Sequence, residues 1–504
     1  MRLRSIAACL PLLLAPAAQA AAPHWTQVRS PHFLVLTDAS VDQARQLAGQ
    51  FERMRSLFLA ILPATPDDPS PIQVLALKNR SEFTALEPPA YLAKGSLPLS
   101  GYFLHAPDRA YILLNLDSTN IAHPFAAVYH EYTHFALRKA EWLPLWLSEG
   151  LAEFYESSTI ESHEAIVGEI SPSLLGILRS NRLIPLQALL TADAASPYYH
   201  EEQKGSMFYA QSWALTHMLQ ADSAQHHTHL IEDYSALLRD HHDPVTSATQ
   251  VFGPLDQLQR RLDHYVAQFT FRTFPVAAII PTNPANYPAT PISDTDATTL
   301  RAGVLTWDGR TAEARALLDE VLKRDPHNAA AVEAMGSLCN ARHDGVCAKK
   351  WYGEAVQLNS ASYVALYFYA NASMEDRDTG HDAEIESSLR SAIRIAPSYA
   401  PAYDCLARFD VQQRRNLPEA RAMSVKAVEL EPDVIAYRLN LAAVLLQRQE
   451  SEVALAALDD AMHVARTPED VENVQTMIGQ VKHFQQYLKS IQAPVEATKP
   501  STSK

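Results

Sequence analysis

The sequence of 504 residues contains little glycine: there are 15 glycines, and neither GxGxxG nor GxxxxGK[ST] occurs. Both motifs need glycine because the backbone must approach a phosphate closely, so their absence argues against a nucleotide-binding loop. Basic residues are also fewer than acidic ones: the chain has 42 Lys and Arg but 57 Asp and Glu, which gives a formal net charge of −15. An acidic chain without a basic stripe argues against nucleic acid as a partner.

Long apolar runs are missing as well. No stretch approaches the roughly 20 apolar residues of a membrane-spanning helix, so the sequence predicts no transmembrane segment. A shorter apolar stretch, Ile6–Leu14, follows Arg2 and Arg4 and precedes an A-x-A sequence that ends at Ala20. This order is typical of a signal peptide over residues 1–20, cleaved after Ala20. We therefore expect a periplasmic or secreted protein.

Cysteine is scarce, with four residues, and no CxxC pair indicates a thiolate metal site. Cys9 would be removed with the signal peptide, and Cys405 has no evident partner. Cys339 and Cys347 flank a predicted turn between two helices. In an oxidising compartment they could form a disulfide, but two buried thiols explain the same sequence equally well.

Proline, in contrast, is concentrated in one segment. Five prolines stand between residues 273 and 293, where they preclude a helix and favour an extended connector. This predicted linker separates an N-terminal half, residues 21–272, from a C-terminal half, residues 294–491. The tail, residues 492–504, is predicted to be disordered.

The C-terminal half repeats itself. Equivalent positions recur at intervals of 34 to 37 residues at Ala314, Ala348, Ile385, Ala420 and Ala454. A mostly small residue stands seven positions after each, so neighbouring helices can approach closely. Helix, turn, helix and then proline at this period resembles the tetratricopeptide repeat (TPR). The resemblance implies an all-α TPR solenoid with a capping helix, whose concave surface would recruit a substrate or a protein partner.

The N-terminal half mixes two hydrophobic periods. His32–Thr37 and Ile72–Leu77 are short β-type runs, and Val41–Leu62 between them has helical spacing. Gly101–Leu116 is predicted to form a hairpin that turns at Pro107-Asp108. Beyond Asn120 the pattern is mostly helical, so the fold class of this half is α+β, with a small sheet followed by helices.

The stretch "VYHEYTHFALRK" contains an HExxH motif on a predicted helix. His130 and His134 are four residues apart, so both imidazoles project from one helix face and can bind one metal ion. Zn²⁺ held in this way lowers the pKa of its water, and Glu131 can accept the proton during attack on a carbonyl. By chance alone HExxH would occur in about one such chain in twenty, so the motif by itself is weak.

A second stretch, "LPLWLSEGLAEFYES", strengthens the prediction. Glu149 and Glu153 share one face of a second predicted helix. One carboxylate can be the third metal ligand, and the other can accept the N–H of a liganding histidine. Two such carboxylates would repel each other unless a cation lay between the helices. The other reading is a solvated acidic face, against which the surrounding Trp146 and Leu147 argue.

Together, HEYTH and WLSEGLAEF resemble the gluzincin zinc metallopeptidases. The resemblance implies a zincin-like fold for the N-terminal half and one Zn²⁺ per chain, bound by His130, His134 and Glu149. Glu131 would be the catalytic base and Glu153 would support a liganding histidine. The family's G-x-M-E-N motif is absent, so aminopeptidase specificity does not carry over.

Two further roles follow from this resemblance. A gluzincin needs a hydrogen-bond donor for the developing oxyanion, for which Tyr209 is our candidate and His217 a weaker one. The family also pairs an extended substrate with an edge strand that precedes the zinc helix. Tyr111–Leu114 is our candidate for that strand.

The leading hypothesis is therefore an exported zinc-dependent peptidase that acts on peptide or protein substrates, with repeats that recruit a substrate or a partner. The alternative is a TPR binding scaffold with a structural or nearly inactive zinc site. A metal hydrolase that acts on something other than peptides remains a third possibility. The sequence leaves open the choice between endo- and exopeptidase, the substrate sequence, the repeat partner and the oligomeric state.

Overall fold

The computed structural model describes most of the chain. The described residues are 25–61, 71–92, 99–107, 109–117, 125–137, 143–161, 164–193, 195–200, 202–240, 242–277, 280–358, 361–375, 379–465 and 467–492. The predicted signal peptide lies outside these residues. So do Asp108 of the predicted hairpin turn and the predicted tail beyond Gln492.

Within the described residues, nine strands form two sheets. The strands are β1 (Thr26–Arg29), β2 (Phe33–Thr37), β3 (Ile72–Leu77), β4 (Gly101–His105), β5 (Ala110–Asn115), β6 (Thr159–Ile160), β7 (Glu164–Val167), β8 (Phe274–Ala277) and β9 (Ala289–Pro291). The larger sheet has the order β4-β5-β3-β2-β1-β9, and β6, β7 and β8 form the smaller one. Neighbours in the larger sheet are antiparallel except β2 with β3 and β3 with β5, which are parallel.

Helices make up most of the rest of the described chain. Those of the N-terminal half are α1 (Val41–Ile61), α2 (Arg80–Thr84), α3 (Ala126–Leu137), α4 (Leu145–Glu156), α5 (Pro172–Ser180), α6 (Leu186–Leu190), α7 (Pro197–His200), α8 (Glu202–His226), α9 (Leu230–Arg239), α10 (Pro244–Phe252) and α11 (Leu255–Val266). Single 3₁₀ turns span Pro89–Tyr91, Pro284–Asn286 and Thr379–His381.

The C-terminal half consists of helical hairpins. The helices are α12 (Asp294–Trp307), α13 (Thr311–Arg324), α14 (Ala329–Ala341), α15 (Gly345–Gln357), α16 (Tyr363–Glu375), α17 (Asp382–Ile395), α18 (Ala400–Gln412), α19 (Leu417–Leu430), α20 (Ile435–Gln447), α21 (Ser451–Val464) and α22 (Pro468–Gln492). Among the described residues α12 to α21 pair into five hairpins, and α22 packs against the last one. The structure thus confirms an α+β part followed by an all-α TPR array.

Small residues and one disulfide hold neighbouring repeat helices together. Ala314, Ala348, Ala420 and Ala454 are buried, as the repeat pattern predicts. A side chain at Gly336 would lie 2.7 Å from the ring of Tyr352, so α14 and α15 can pack this closely because position 336 has no side chain. Cys339 and Cys347 are joined by a disulfide between these two helices. The pairing that the sequence left open is therefore formed.

Both faces of the larger sheet are covered. Val35, Val74 and Ile112 pack with α1 and α3 on one face. On the other face Leu36, Leu75 and Leu113 share a core with residues of α12, α13 and α14. This explains why β2, β3 and β5 are mostly apolar on both faces, with Thr37, Gln73 and Asn115 as the polar exceptions, because such strands have no face in water. The first repeats are therefore one covering layer of the sheet.

The proline-rich segment differs from a free connector. Its strand β8 pairs with β7, and its strand β9 pairs with β1 at the end of the larger sheet. Between them Pro284 packs so closely on α1 that a side chain at Gly49 would collide with its ring. The described part of the segment thus consists of two short strands and the 3₁₀ turn Pro284–Asn286, all held against the N-terminal half.

A third core holds the helices that follow α3. It contains Trp146 and Leu147 of α4 together with Trp213 and Leu215 of α8. Helix α8 is the central element, since α4, α5, α9 and α11 all contact it. None of the helices in the described part of the chain is long and apolar enough to span a membrane.

Candidate metal centre

Helix α3 places the HExxH residues between a core and a cleft. Val128, Tyr132 and Phe135 are buried against α1 and the sheet. The side chains of His130 and His134 point the other way, toward α4, and remain 16% and 20% exposed. Glu131 is buried beside strand β4. The two are so close that a side chain added at Gly101 would lie 3.1 Å from the Cγ atom of Glu131. Gly101 therefore allows the edge of the sheet to approach the predicted base.

Helix α4 presents the glutamates, and its position depends on one glycine. Gly150 directly follows Glu149 and lies against α8. A side chain there would lie 2.6 Å from the carbonyl oxygen of Ser212 and would also collide with Thr216. Without a side chain at position 150, α4 can pack onto α8 closely enough to turn Glu149 toward α3.

Three ligand atoms converge in the cleft. The Nε2 atoms of His130 and His134 lie 3.1 Å apart. The Oε2 atom of Glu149 lies 3.7 Å from Nε2 of His130 and 3.4 Å from Nε2 of His134. Tetrahedral zinc with ligands at about 2.0–2.1 Å needs ligand atoms separated by about 3.3 Å. The triangle therefore has the size that one zinc ion requires.

The Glu149 oxygen that faces the histidines lies close to both imidazoles but makes no hydrogen bond of good geometry among the described residues. Oε2 of Glu149 is buried and has no hydrogen-bond partner among the described residues. A buried acceptor without a partner costs about 1–3 kcal/mol, and more when it is charged. A cation between Oε2 and the two Nε2 atoms would remove this cost. The donor set of two imidazoles and one carboxylate also suits zinc.

The two central carboxylates differ in acidity. Burial acts to raise the pKa of both. For Glu149 the opposing attraction of His134, with help from His130 and Tyr199, is stronger, so its pKa is lowered. For Glu131 burial prevails over His130 and His134, so its pKa is raised. Glu149 is therefore the more acidic of the two carboxyls.

The far nitrogen of His130 contacts two more carboxylates. Its Nδ1 atom lies 3.0 Å from Oε2 of Glu156 and 4.0 Å from Oε1 of Glu153. The hydrogen bond predicted for Glu153 is therefore made by Glu156. Burial and the neighbouring Glu156 raise the pKa of Glu153 well above its usual range. Glu156 lies one turn beyond Glu153 on α4, and that spacing is the signal in the sequence that indicates its role.

The carboxylates also act on the pKa of His130. Burial lowers it, but the hydrogen bond with Glu156 and the charges of Glu131 and Glu153 prevail, so the pKa is raised well above the usual value. On the second histidine, Nδ1 of His134 lies 3.5 Å from the hydroxyl oxygen of Ser148. Each imidazole thus has a polar neighbour at the nitrogen that faces away from the cleft, as metal-binding histidines usually have.

A group of tyrosines lies on the other side of Glu149. The hydroxyl of Tyr199 donates a hydrogen bond to Oε1 of Glu149 at 3.0 Å. The predicted oxyanion donor, Tyr209, hydrogen-bonds Tyr199, and so does Tyr91. Burial raises the pKa values of all three phenols. The structure therefore brings Tyr209 to the edge of the site, while the direct contact with Glu149 comes from Tyr199, which the sequence pattern did not indicate.

The other predicted oxyanion donor, His217, is occupied elsewhere. Its side chain is buried in α8, where Nδ1 lies 2.7 Å from the hydroxyl oxygen of Tyr265 and Nε2 lies 2.8 Å from the carbonyl oxygen of Gly168. Only an N–H can approach the carbonyl, so Nδ1 accepts from Tyr265. Both nitrogens are satisfied by the fold, and burial lowers the pKa of this histidine. His217 is thus a core residue.

The strand predicted to pair with an extended substrate is in the wrong place. Tyr111–Leu114 belongs to β5, which is hydrogen-bonded on one side to β4 and on the other to β3. Both edges of β5 are used, so it cannot accept another strand. Strand β4 is the edge of the described sheet, and it begins at Gly101 beside Glu131. Among the described residues, β4 is therefore the strand at this end of the sheet that has no neighbouring strand on its outer side.

Comparisons with known proteins concern the repeats. No family model matches the chain, and no curated protein matches it. YrrB, a TPR protein with an unusual peptide-binding site, is 16% identical, covers 36% of this chain and 92% of its own, with a TM-score of 0.32. MamA from Desulfovibrio magneticus RS-1 is 18% identical over 35% of this chain and 98% of its own, with a TM-score of 0.31.

A thermophilic TPR protein of Thermus thermophilus is similar to the same degree. It is 21% identical, covers 37% of this chain and 99% of its own, and has a TM-score of 0.29. Each of these proteins corresponds to little more than a third of the chain. The repeat assignment accordingly depends on the helical hairpins and their sequence period.

Proposed function

We propose that this chain is a zinc-dependent peptidase of the gluzincin type with one zinc ion per chain. His130, His134 and Glu149 would hold the ion. The observation that carries the proposal is the buried Oε2 atom of Glu149, which has no hydrogen-bond partner in the described part of the chain and lies 3.4 Å and 3.7 Å from the two histidine Nε2 atoms. The zincin-like identity of the α+β half is part of this proposal.

The chemistry divides between the ion and the side chains. A zinc ion supplies Lewis-acid polarisation of a peptide carbonyl and makes water more acidic. Glu131, buried beside the start of β4, would accept the proton of the attacking water and pass it to the leaving amine. Tyr209, whose hydroxyl donates to Tyr199 in the structure, would turn that hydroxyl to the developing oxyanion and donate its hydrogen bond there. An extended peptide would pair with the side of β4 that has no neighbouring strand among the described residues.

The decisive experiment compares the mature wild type with Glu131→Gln, each incubated with an extract of exported proteins from the source cell. New peptide termini are identified by mass spectrometry. We expect termini that appear with wild type alone, and their positions distinguish internal cleavage from end trimming. Zinc content of the two proteins should be equal, because Glu131 is not a ligand. Identical termini with both proteins would refute peptidase activity.

A binding scaffold is the second candidate function. The observation in its favour is the array of five described hairpins and a capping helix over residues 294–492, which could bind a peptide segment or a partner helix. In that case the zinc site would be structural, and no property of the protein would depend on Glu131. A phenotype that is lost in Glu131→Gln while zinc remains bound therefore excludes the scaffold as the whole function.

We also propose that the protein is exported. The Cys339–Cys347 disulfide supports this, because disulfides persist mainly in oxidising compartments. The predicted signal peptide gives the route. Fractionation of the source cell, with mass spectrometry of the mature N-terminus, should find a chain that begins at Ala21 outside the cytoplasm. An uncleaved chain in the cytoplasm would contradict the proposal.

A further inference from the structure

We propose that Tyr199 is the positioning residue for the metal ligand Glu149, and this inference rests on the proposed function. The two oxygens of Glu149 have different surroundings. Oε1 accepts the hydroxyl hydrogen bond of Tyr199 at 3.0 Å, whereas Oε2 has no hydrogen-bond partner among the residues that the structure describes and faces the histidines. Rotation of the carboxylate that turned Oε2 away from the histidines would break the bond to Tyr199. The tyrosine therefore selects the orientation in which a single oxygen is offered to the metal.

The hydroxyl of Tyr199 can donate only one hydrogen bond, and that bond goes to Glu149. A phenol has one O–H, and an ionised carboxylate can only accept, so the proton of Tyr199 lies toward Glu149. Tyr209, which also hydrogen-bonds Tyr199, donates to its oxygen, since this bond acts to lower the pKa of Tyr199. That donation polarises the O–H of Tyr199 and strengthens its bond to Glu149. Tyr91 joins the group through a further hydrogen bond with Tyr199. The three tyrosines thus form a hydrogen-bond network that ends at the ligand.

Packing holds the ring of Tyr199 in place. The ring lies 5.9 Å from that of Phe208 and 5.8 Å from that of Tyr209, both on helix α8. Helix α8 also packs on α4, the helix that carries Glu149. Helix α8 therefore contacts both the ring of Tyr199 and the helix that carries Glu149, and this shared packing fixes the positions of the two side chains relative to each other. Groups that orient a metal ligand in this way typically contribute about 10–100-fold to metal affinity.

The test is the affinity of the metal-free protein for Zn²⁺ alone, measured by competition with a chromophoric chelator. We expect Tyr199→Phe to raise the dissociation constant about 10–100-fold. Tyr198→Phe, which removes the hydroxyl of the neighbouring residue on the same short helix, should leave it unchanged. Tyr209→Phe should have a smaller effect than Tyr199→Phe, since it removes one donor to Tyr199 and leaves the bond to Glu149. A dissociation constant for Tyr199→Phe within threefold of wild type would overturn the inference.

Two further measurements separate positioning from simple folding. The melting temperature of the metal-free variants reports the structural role of the hydroxyl, and the visible spectrum of the Co²⁺-loaded protein reports how the ligands surround the metal. We expect a changed Co²⁺ spectrum for Tyr199→Phe and an unchanged one for Tyr198→Phe. A lower melting temperature with unchanged Zn²⁺ affinity and spectrum would assign Tyr199 a structural role only. If wild type binds Zn²⁺ no better than Glu149→Gln, the proposed function itself fails, and this inference fails with it.

Discussion

Glu131 and Glu149 are chemically identical and both buried, yet their surroundings shift their acidities in opposite directions. Glu149 faces the Nε2 atoms of both histidines, which favours its charged form and lowers its pKa. Glu131 is pressed against Gly101 of strand β4, and burial there raises its pKa. Pairs of carboxylates whose acidities diverge in this way are typical of sites that need one permanent anion and one proton carrier.

The role of Tyr209 gives a prediction at the scale of one residue. Tyr209→Phe should lower turnover about 10²–10³-fold, because it would remove the donor that we propose for the oxyanion. Zinc content at saturating metal should remain equal to that of wild type, since Tyr209 does not contact Glu149 directly. Turnover is measured on a peptide identified by the terminus mapping, with Tyr198→Phe as the matched control. Unchanged turnover would remove Tyr209 from the mechanism.

Spacing along each of two helices is what made the grouping of these side chains predictable. His130 and His134 share a helix face, as do Glu149 and Glu153, and the structure brings the two faces together. The contact of Tyr199 was not predictable, because it lies on a helix of four residues, Pro197–His200, about 50 residues from Glu149 in the chain. Such a short helix has no hydrophobic period, and its place beside Glu149 is set by packing on α8.

At the scale of the element, the packing of α4 on α8 depends on Gly150. We predict that Gly150→Ala destabilises the protein by about 1–3 kcal/mol, because the added methyl group would overlap the backbone of Ser212. The displacement of α4 would also move Glu149, so affinity for Zn²⁺ should fall. Unfolding by urea, followed by circular dichroism, measures the first effect, and chelator competition measures the second.

A second glycine provides the matched control. Gly176 lies in the middle of α5, and a methyl group there would meet nothing within 4 Å. Gly176→Ala should therefore leave Zn²⁺ affinity unchanged and stabilise the helix by up to about 1 kcal/mol. If Gly150→Ala behaves like Gly176→Ala, close packing of α4 on α8 is not what positions Glu149.

Whether a segment forms a helix or a strand was predictable where the hydrophobic period was clear. Which strands pair with each other in the sheet was not. The runs around β2, β3 and α1 have the predicted types, and the repeat period places every hairpin of the described array. The sequence could not show that β4, rather than β5, is the edge of the sheet. Both strands belong to one hairpin with similar composition, and the order of strands depends on β5 pairing with β3, which is more than 30 residues earlier.

At the scale of the whole molecule, the repeats and the sheet share one core. Tyr102 of β4 illustrates the contact, since its hydroxyl oxygen lies 2.6 Å from Oδ2 of Asp308, which follows α12, and 2.8 Å from the carbonyl oxygen of Leu86. One O–H cannot donate to both acceptors. Both contacts are satisfied when Asp308 is protonated and donates to Tyr102. Burial raises the pKa of Asp308 to about 6.

This contact predicts that the stability of the folded protein depends on pH. The pKa of Asp308 in the folded protein is about 6, above the ordinary value of 3.8. Its protonation therefore stabilises the fold below pH 4, and this contribution is lost as the pH rises through 6. Asp308→Asn should resemble the protonated acid, because its N–H can donate to Tyr102 at any pH. We expect the variant to gain on the order of 1–3 kcal/mol relative to wild type between pH 4 and pH 7. A stability difference that is constant over this range, measured by urea unfolding at each pH, would contradict it.

The shared core also predicts where the chain can be divided. A fragment of residues 21–293 ends at the predicted linker and would expose Leu36, Leu75 and Leu113, which are at most 1% exposed in the full chain. We expect it to aggregate or to bind a hydrophobic dye, because a sheet face of this kind requires a cover. A fragment of residues 21–358 retains α12 to α15 and should remain soluble and bind Zn²⁺ with the affinity of the full chain. Size-exclusion chromatography and chelator competition compare the two.

If the shorter fragment is equally soluble and binds Zn²⁺ equally well, the first repeats form a separate domain that the N-terminal half does not need for folding. A partner bound to the array would then have no shared core through which to affect β4. If only the longer fragment folds, the first repeats are part of the layer that holds β4 against Glu131.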